Sequence, residues 1–127
     1  MSRILLVEDS RVQAIVAQRL LEGAGYTVEH VLSVDEALKV CYESTPDLVV
    51  SDHELGEGSG LEICRRMKSE AALSSIPVLM LCGSNLQKYR VAAMDAGADA
   101  FLTKDSSNDE LLAVISRLLE SGENKKS

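Results

Sequence analysis

Leu48-Val49-Val50-Ser51-Asp52-His53-Glu54 is an apolar run that stops at a carboxylate. Both faces of the run are apolar, the pattern of a strand in the middle of a parallel sheet with helices above and below it. Asp52 then stands at the carboxyl end of the strand, and ligands of open α/β sheets bind in the crevice outside that edge. The segment Ile4-Leu5-Leu6-Val7 ends in the same way, in Glu8-Asp9. If the two strands are neighbours, three carboxylates converge, and such a cluster repels itself unless protons or a cation occupy it. An all-oxygen site of this kind suits a hard divalent metal.

Outward from this stretch, apolar segments at residues 3–7, 26–31, 48–51, 76–81 and 100–103 predict five strands. Ser10-x-x-Gln13 is a capping box, followed by Val12, Ile15, Val16, Leu20 and Leu21 at helical spacing. The signature recurs as Ser33-x-x-Glu36, Ser59-x-x-Glu62, Ser84-x-x-Gln87 and Ser107-x-x-Glu110. One match carries little weight, but five, each opening a periodic segment, predict five helices. Strand and helix thus alternate five times, which requires parallel strands and right-handed crossovers. The fold class is α/β, a doubly wound five-stranded sheet. Pro46 ends the second helix, and Pro77 is tolerated because it opens a strand. The polar residues 121–127 are expected to be a frayed end or the start of a linker, leaving one domain over residues 1–120.

Composition limits the function classes. A chain of 127 residues, 46% hydrophobic and 26% charged, is one soluble-type domain with a proper core. Its apolar runs are strand-sized, so neither a membrane span nor a signal peptide is predicted, and a cytoplasmic location is expected. Cys41, Cys64 and Cys82 stand far apart without CxxC spacing, and two of them fall at apolar positions of predicted helices, where a free thiol packs as a small hydrophobe. Thirteen basic against twenty acidic residues give a net charge of −7, which opposes direct nucleic-acid binding by this domain.

The strand ends collect Glu8 and Asp9, then Asp52, then Cys82-Gly83-Ser84, then Lys104. Carboxylates, small residues with open backbone N–H groups and one ammonium make a site for a metal-bound phosphoryl group. Four motifs carry these residues: Leu-Leu-Val-Glu-Asp-Ser, Pro-Asp-Leu-Val-Val-Ser-Asp, Ile-Pro-Val-Leu-Met-Leu-Cys-Gly and Gly-Ala-Asp-Ala-Phe-Leu-Thr-Lys. Each is loose alone; together, in this order and on these strands, they are specific. Residues 2–119 resemble the receiver domains of two-component response regulators, the chemotaxis receiver among them.

The resemblance implies a flavodoxin-like (βα)5 fold with strand order 2-1-3-4-5. It implies that Asp52 accepts a phosphoryl group from a histidine kinase or a histidine phosphotransfer protein. Mg2+ would be bound by Asp9 and Asp52, by Glu8 through water, and by the backbone carbonyl of Glu54. Lys104 would reach the phosphoryl oxygens, with backbone N–H groups near His53 and Gly83 assisting. Cys82 and Phe101 would form the switch that passes the signal to an output protein or a fused output domain. Such a domain is not an enzyme beyond its own phosphorylation and dephosphorylation.

Plainer readings stand beside these. Strand-end acids often only open turns, yet a turn does not explain a second carboxylate on a neighbouring strand and a lysine on a third. His53 and His30, each without a metal-ligand partner in sequence, read as exposed loop residues. The chain departs from the family with Cys82 where Thr or Ser is usual, Asp105 where proline follows the lysine, and Leu55-Gly56 where Met-Pro is common. These departures leave a second reading, a receiver-like interaction module that works without phosphorylation. A haloacid-dehalogenase-type phosphatase would place a second acid two residues after the nucleophile, where Glu54 stands, but no segment is large enough for a substrate-covering cap.

Overall fold

A computed structural model describes residues 2–56 and 58–126, with side chains as far as residue 121. The elements follow in the order β1 (Arg3–Val7), α1 (Arg11–Gly23), β2 (Thr27–Val31), α2 (Val34–Glu43), β3 (Leu48–Asp52), β4 (Glu54–Leu55), β5 (Gly58–Ser59), α3 (Gly60–Lys68), β6 (Val78–Cys82), α4 (Gln87–Asp95), β7 (Ala100–Thr103) and α5 (Asn108–Lys126). The main sheet is parallel, in the order β2-β1-β3-β6-β7. That is the expected order 2-1-3-4-5, with the short β4 and β5 outside it.

Every residue of β3 is buried because helices cover both faces of the sheet. Val49 packs in a layer with Val7 and Met80 of the sheet, Cys41 of α2, Met67 of α3 and Ala93 of α4. Leu48 and Val50 point the other way, against Leu21 of α1 and Ile115 and Leu118 of α5. Burying an aliphatic side chain of this size stabilises by roughly 1.5–3 kcal/mol, so the centre of β3 anchors both layers. All three cysteines are free and buried in these layers, and burial pushes the Cys41 and Cys64 thiols up to about 11. Among the described residues no helix is long and apolar enough to cross a membrane.

Four of the five capping serines act as expected. The hydroxyls of Ser10, Ser33 and Ser107 accept the backbone N–H three residues on, at 3.3, 3.2 and 3.1 Å, and that of Ser59 accepts the Leu61 N–H at 3.1 Å. Ser84 is different: its hydroxyl accepts the Leu86 N–H at 3.2 Å in a turn, and α4 begins after Leu86 without a side-chain cap. The turn after β6 takes the serine, so the helix starts later than Ser84-x-x-Gln87 predicts.

Two further differences concern local structure. The loop after Asp52 closes as an antiparallel pair, Glu54 against Ser59 and Leu55 against Gly58, where no strands are predicted. Gly56 sits in this turn at φ +56°, a conformation that favours glycine. At the other end, α5 continues through residues 121–126, which composition reads as a frayed tail or linker. Acidic Asp109 and Glu110 in its first turn complement the helix dipole. Ser127 lies outside the described residues.

Candidate functional site

Sheet register brings the strand ends level. Val7 of β1 pairs with Ser51 of β3, Asp52 with Leu81 of β6, and Cys82 with Thr103 of β7. The residues that follow each strand therefore meet over one edge. The Glu8 N–H donates to the Val31 carbonyl at 3.1 Å, and the Lys104 N–H to the Cys82 carbonyl at 2.8 Å, so sheet-type bonds aim both side chains. Lys104 Nζ lies 2.7 Å from Asp52 Oδ2, 2.7 Å from Gln13 Oε1 and 3.5 Å from Glu8 Oε2. The other Glu8 oxygen, Oε1, accepts the Ser10 N–H at 3.0 Å.

Asp52 and Glu8 are only 4% and 5% exposed, while Asp9 faces solvent. Burial pushes the Asp52 carboxyl up to about 7, helped by the hydrogen bond and charge of Glu8 and opposed by Lys104. For Glu8 burial also acts upward, but its hydrogen bonds with Asp52 and the Ser10 N–H, together with Lys104, outweigh it and leave the carboxyl below its ordinary value. Burial lowers the Lys104 ammonium, yet the two carboxylates hold it above its ordinary value. One lysine thus compensates a carboxylate pair only in part.

Carboxylate oxygens of Glu8, Asp9 and Asp52 all lie within 4.8 Å of one another. Three hard oxygen donors in a pocket still short of positive charge fit Mg2+, which takes one or two carboxylates and keeps waters of its own. The donor set lacks the nitrogen and sulfur ligands that select softer metals.

Beside the carboxylates opens a cleft of about 200 Å3, lined by Asp52, Glu54, Cys82, Gly83, Tyr89 and Lys104 among others. The expected site residues therefore meet, with two exceptions. The His53 N–H, expected to face a phosphoryl group, donates instead to the Leu81 carbonyl at 2.8 Å, because the β3–β6 ladder continues one residue past Asp52. Phe101 lies inside the core, 5% exposed, with the Arg90 guanidinium 4.8 Å from its ring centroid. Gly83 borders the cleft as expected.

Several residues escape a reading from sequence. The His53 ring is half-buried and meets Tyr89 edge-on, with centroids 5.3 Å apart, rather than lying in an exposed loop. His30 is likewise not a loop residue: it lies in β2, and its Nε2 donates to the Glu8 carbonyl at 2.7 Å. Its pairing with Leu6 across the β1–β2 ladder, two residues before Glu8, is the sequence-level clue to that contact. The Gln13–Lys104 bond joins residues 91 positions apart and leaves no local signal.

Residues 4–116 match the family described as the response regulator receiver domain. The chain belongs to that family. This receiver is 32% identical over 117 residues to the phosphate regulon transcriptional regulatory protein PhoB of Rhizobium meliloti, covering 92% of this chain and 52% of that protein. It is 38% identical over 117 residues to the response regulator MprA of Mycobacterium ulcerans, covering 92% and 50%. The receiver spans about half the length of these curated relatives. In structure it is similar to the signal receiver domain of a signal transduction histidine kinase from Syntrophus aciditrophicus, with a TM-score of 0.88 at 36% identity, covering 94% of this chain and 91% of that one. The chemotaxis response regulator CheY4 of Vibrio cholerae matches with a TM-score of 0.86 at 25% identity, covering 93% and 98%. Phosphorylation-based signalling is the standard function of this family, and its members bind Mg2+ at an acidic pocket.

Proposed function

We propose that Asp52 accepts the phosphoryl group from a phosphohistidine on a histidine kinase or histidine phosphotransfer protein. An oxygen of Asp52 attacks phosphorus, the P–N bond breaks, and the imidazole leaves with the bonding pair, so that an acyl phosphate forms. Lys104 meets the phosphoryl oxygens as a compact positive charge, and the Gly83 N–H donates from the facing side of the cleft. Asp9, Asp52 and the Glu54 carbonyl would hold Mg2+, with Glu8 acting through water, and the bound ion would supply further charge to offset what builds on those oxygens. The domain catalyses only its own phosphorylation and dephosphorylation.

The observation that carries this reading is Lys104 Nζ at 2.7 Å from Asp52 Oδ2 beside the Glu8–Asp9–Asp52 cluster. A turn-capping aspartate has no use for a lysine and two further acids from other strands. Cys82 and Phe101 carry the change of shape, by a population shift, to an output protein or a fused output domain. Net charge −7 leaves nucleic-acid contact to that output partner. Three buried free thiols suit the reducing cytoplasm, where we locate the protein.

Incubation with acetyl phosphate and Mg2+, followed by intact-mass measurement, is expected to show one added phosphoryl group in the wild type and none in Asp52→Asn. Equal modification of both proteins would refute the acceptor assignment.

A further inference from the structure

The first turn of α1 contains an unfinished capping box. Ser10 Oγ accepts the Gln13 N–H at 3.3 Å, and in a complete box the Gln13 amide would return to the Ser10 N–H. That N–H is already taken by Glu8 Oε1 at 3.0 Å. The Gln13 side chain, released from its local partner, extends across to Lys104 and accepts from Nζ at 2.7 Å, as close as the Asp52 carboxylate. An ammonium has three N–H bonds, and Lys104 directs them to one buried carboxylate oxygen at 2.7 Å, one amide oxygen at 2.7 Å and a more distant carboxylate oxygen at 3.5 Å.

We propose that Gln13 is a positioning residue for phosphoryl transfer, holding Lys104 toward the α1 side of Asp52 through a neutral acceptor. The inference rests on the reading of Asp52 as phosphoacceptor. Its chemical basis is the difference between an amide and a carboxylate. Without Gln13, the Lys104 ammonium is drawn wholly onto Asp52 and Glu8, where it blunts the nucleophile and faces away from an arriving phosphoryl group. A third carboxylate would fix the lysine too, but would repel the anionic donor. An amide oxygen locates the charge without adding one. Lys104 and Gln13 also both border a groove of about 730 Å3 between α1 and α5, which opens onto Asp52.

Gln13→Met keeps the length and the helix preference of the side chain but removes the acceptor. Gln13→Glu restores an acceptor and adds charge. Three proteins, wild type and these two variants, are followed by two readouts: the NMR signal of the Lys104 side-chain ammonium before phosphorylation, and the rate of acyl phosphate formation against acetyl phosphate concentration.

The Lys104 signal is expected to shift and its proton exchange to quicken in Gln13→Met, with slow exchange restored in Gln13→Glu. The maximal phosphorylation rate of Gln13→Met should fall roughly three- to tenfold, part of what one hydrogen bond to a charged group is worth because Lys104 keeps its two carboxylate partners, with little change in half-saturating donor concentration. Gln13→Glu should instead require more donor. An unchanged Lys104 signal and rate in Gln13→Met overturns the inference in a protein that is still phosphorylated. Wild-type protein that takes no phosphoryl group would overturn the reading of Asp52 itself, while the Lys104 signal still reports whether Gln13 holds the lysine.

Discussion

Gly60 lies against the backbone of Asp52: a Cβ built on it would stand 2.2 Å from the Asp52 carbonyl oxygen, 2.7 Å from Met80 Sδ and 2.8 Å from Ser51 Oγ. The Gly60 N–H also donates to the His53 carbonyl at 2.9 Å, and Ser59 Oγ to the same oxygen at 3.0 Å. The start of α3 is therefore seated directly on the acceptor strand. Its backbone neighbour cannot rotate away as a flexible side chain could. Gly60→Ala is expected to cost about 2–4 kcal/mol of stability, because α3 must retreat from β3, and to slow modification of Asp52. Chemical denaturation checks this, and a loss under about half a kcal/mol would mean the contact yields easily.

The Asp52 carboxyl, raised to about 7 mainly by burial, makes a prediction about pH. Between its ordinary value and about 7, the folded protein keeps a proton that the unfolded chain has released, so stability falls as pH rises through that window. Glu8, lowered in the folded state, adds stability above its ordinary value and loses it only in more acidic solution. Lys104, raised, keeps its contribution until well into the alkaline range. Asp52→Asn should accordingly be more stable than wild type without Mg2+, by roughly 1–2 kcal/mol at pH 8, with the gap closing toward pH 5. Thermal unfolding at several pH values measures it, and a gap independent of pH would contradict the assignment.

Much of this site is legible in the chain, and what is not has identifiable causes. The β3 run and its carboxylate end announce themselves because a strand covered on both faces has no polar positions to spare. Serine caps form at Ser10, Ser33, Ser59 and Ser107, where a serine meets its own helix, and fail at Ser84, where a turn claims the hydroxyl. The β4–β5 pair has two residues per strand, too few for any periodicity. His30, Gln13 and Gly60 owe their roles to neighbours supplied by other segments, and the His53 N–H is spent on a ladder whose length depends on β6.

Mg2+ is expected to raise the unfolding temperature of the wild type, since a ligand bound only by the folded protein at tenfold its Kd adds about 1.4 kcal/mol. Asp9→Asn, which removes an exposed member of the cluster without disturbing the core, should abolish most of that gain. Ca2+ and K+ serve as controls for the octahedral oxygen geometry that Mg2+ demands. An equal gain in the variant would exclude Asp9 from the metal site.

Cys82 predicts a muted switch. A hydroxyl at this position would donate to a phosphoryl oxygen, an interaction worth roughly 1.5–3 kcal/mol, whereas a thiol is a weak donor and recovers only part of it. Phe101, buried under Arg90, then has less reason to change its place. A ligand shifts a two-state equilibrium only by its differential interaction, so Cys82→Thr should enlarge the phosphorylation-induced NMR shifts in α4 and β7, with a populated active state roughly five to ten times larger. Identical shifts in the two proteins would remove Cys82 from the switch.

The central claim is that Asp52 carries the phosphoryl group. Borohydride reduces an acyl phosphate to the alcohol, so a phosphorylated aspartate becomes homoserine at its own position. Phosphorylated protein is reduced, digested and sequenced by tandem mass spectrometry. Homoserine is predicted at residue 52, dependent on Mg2+ and absent from unphosphorylated protein. Homoserine at another aspartate, or a stable phosphate on a serine or histidine with residue 52 unmodified, would contradict the account.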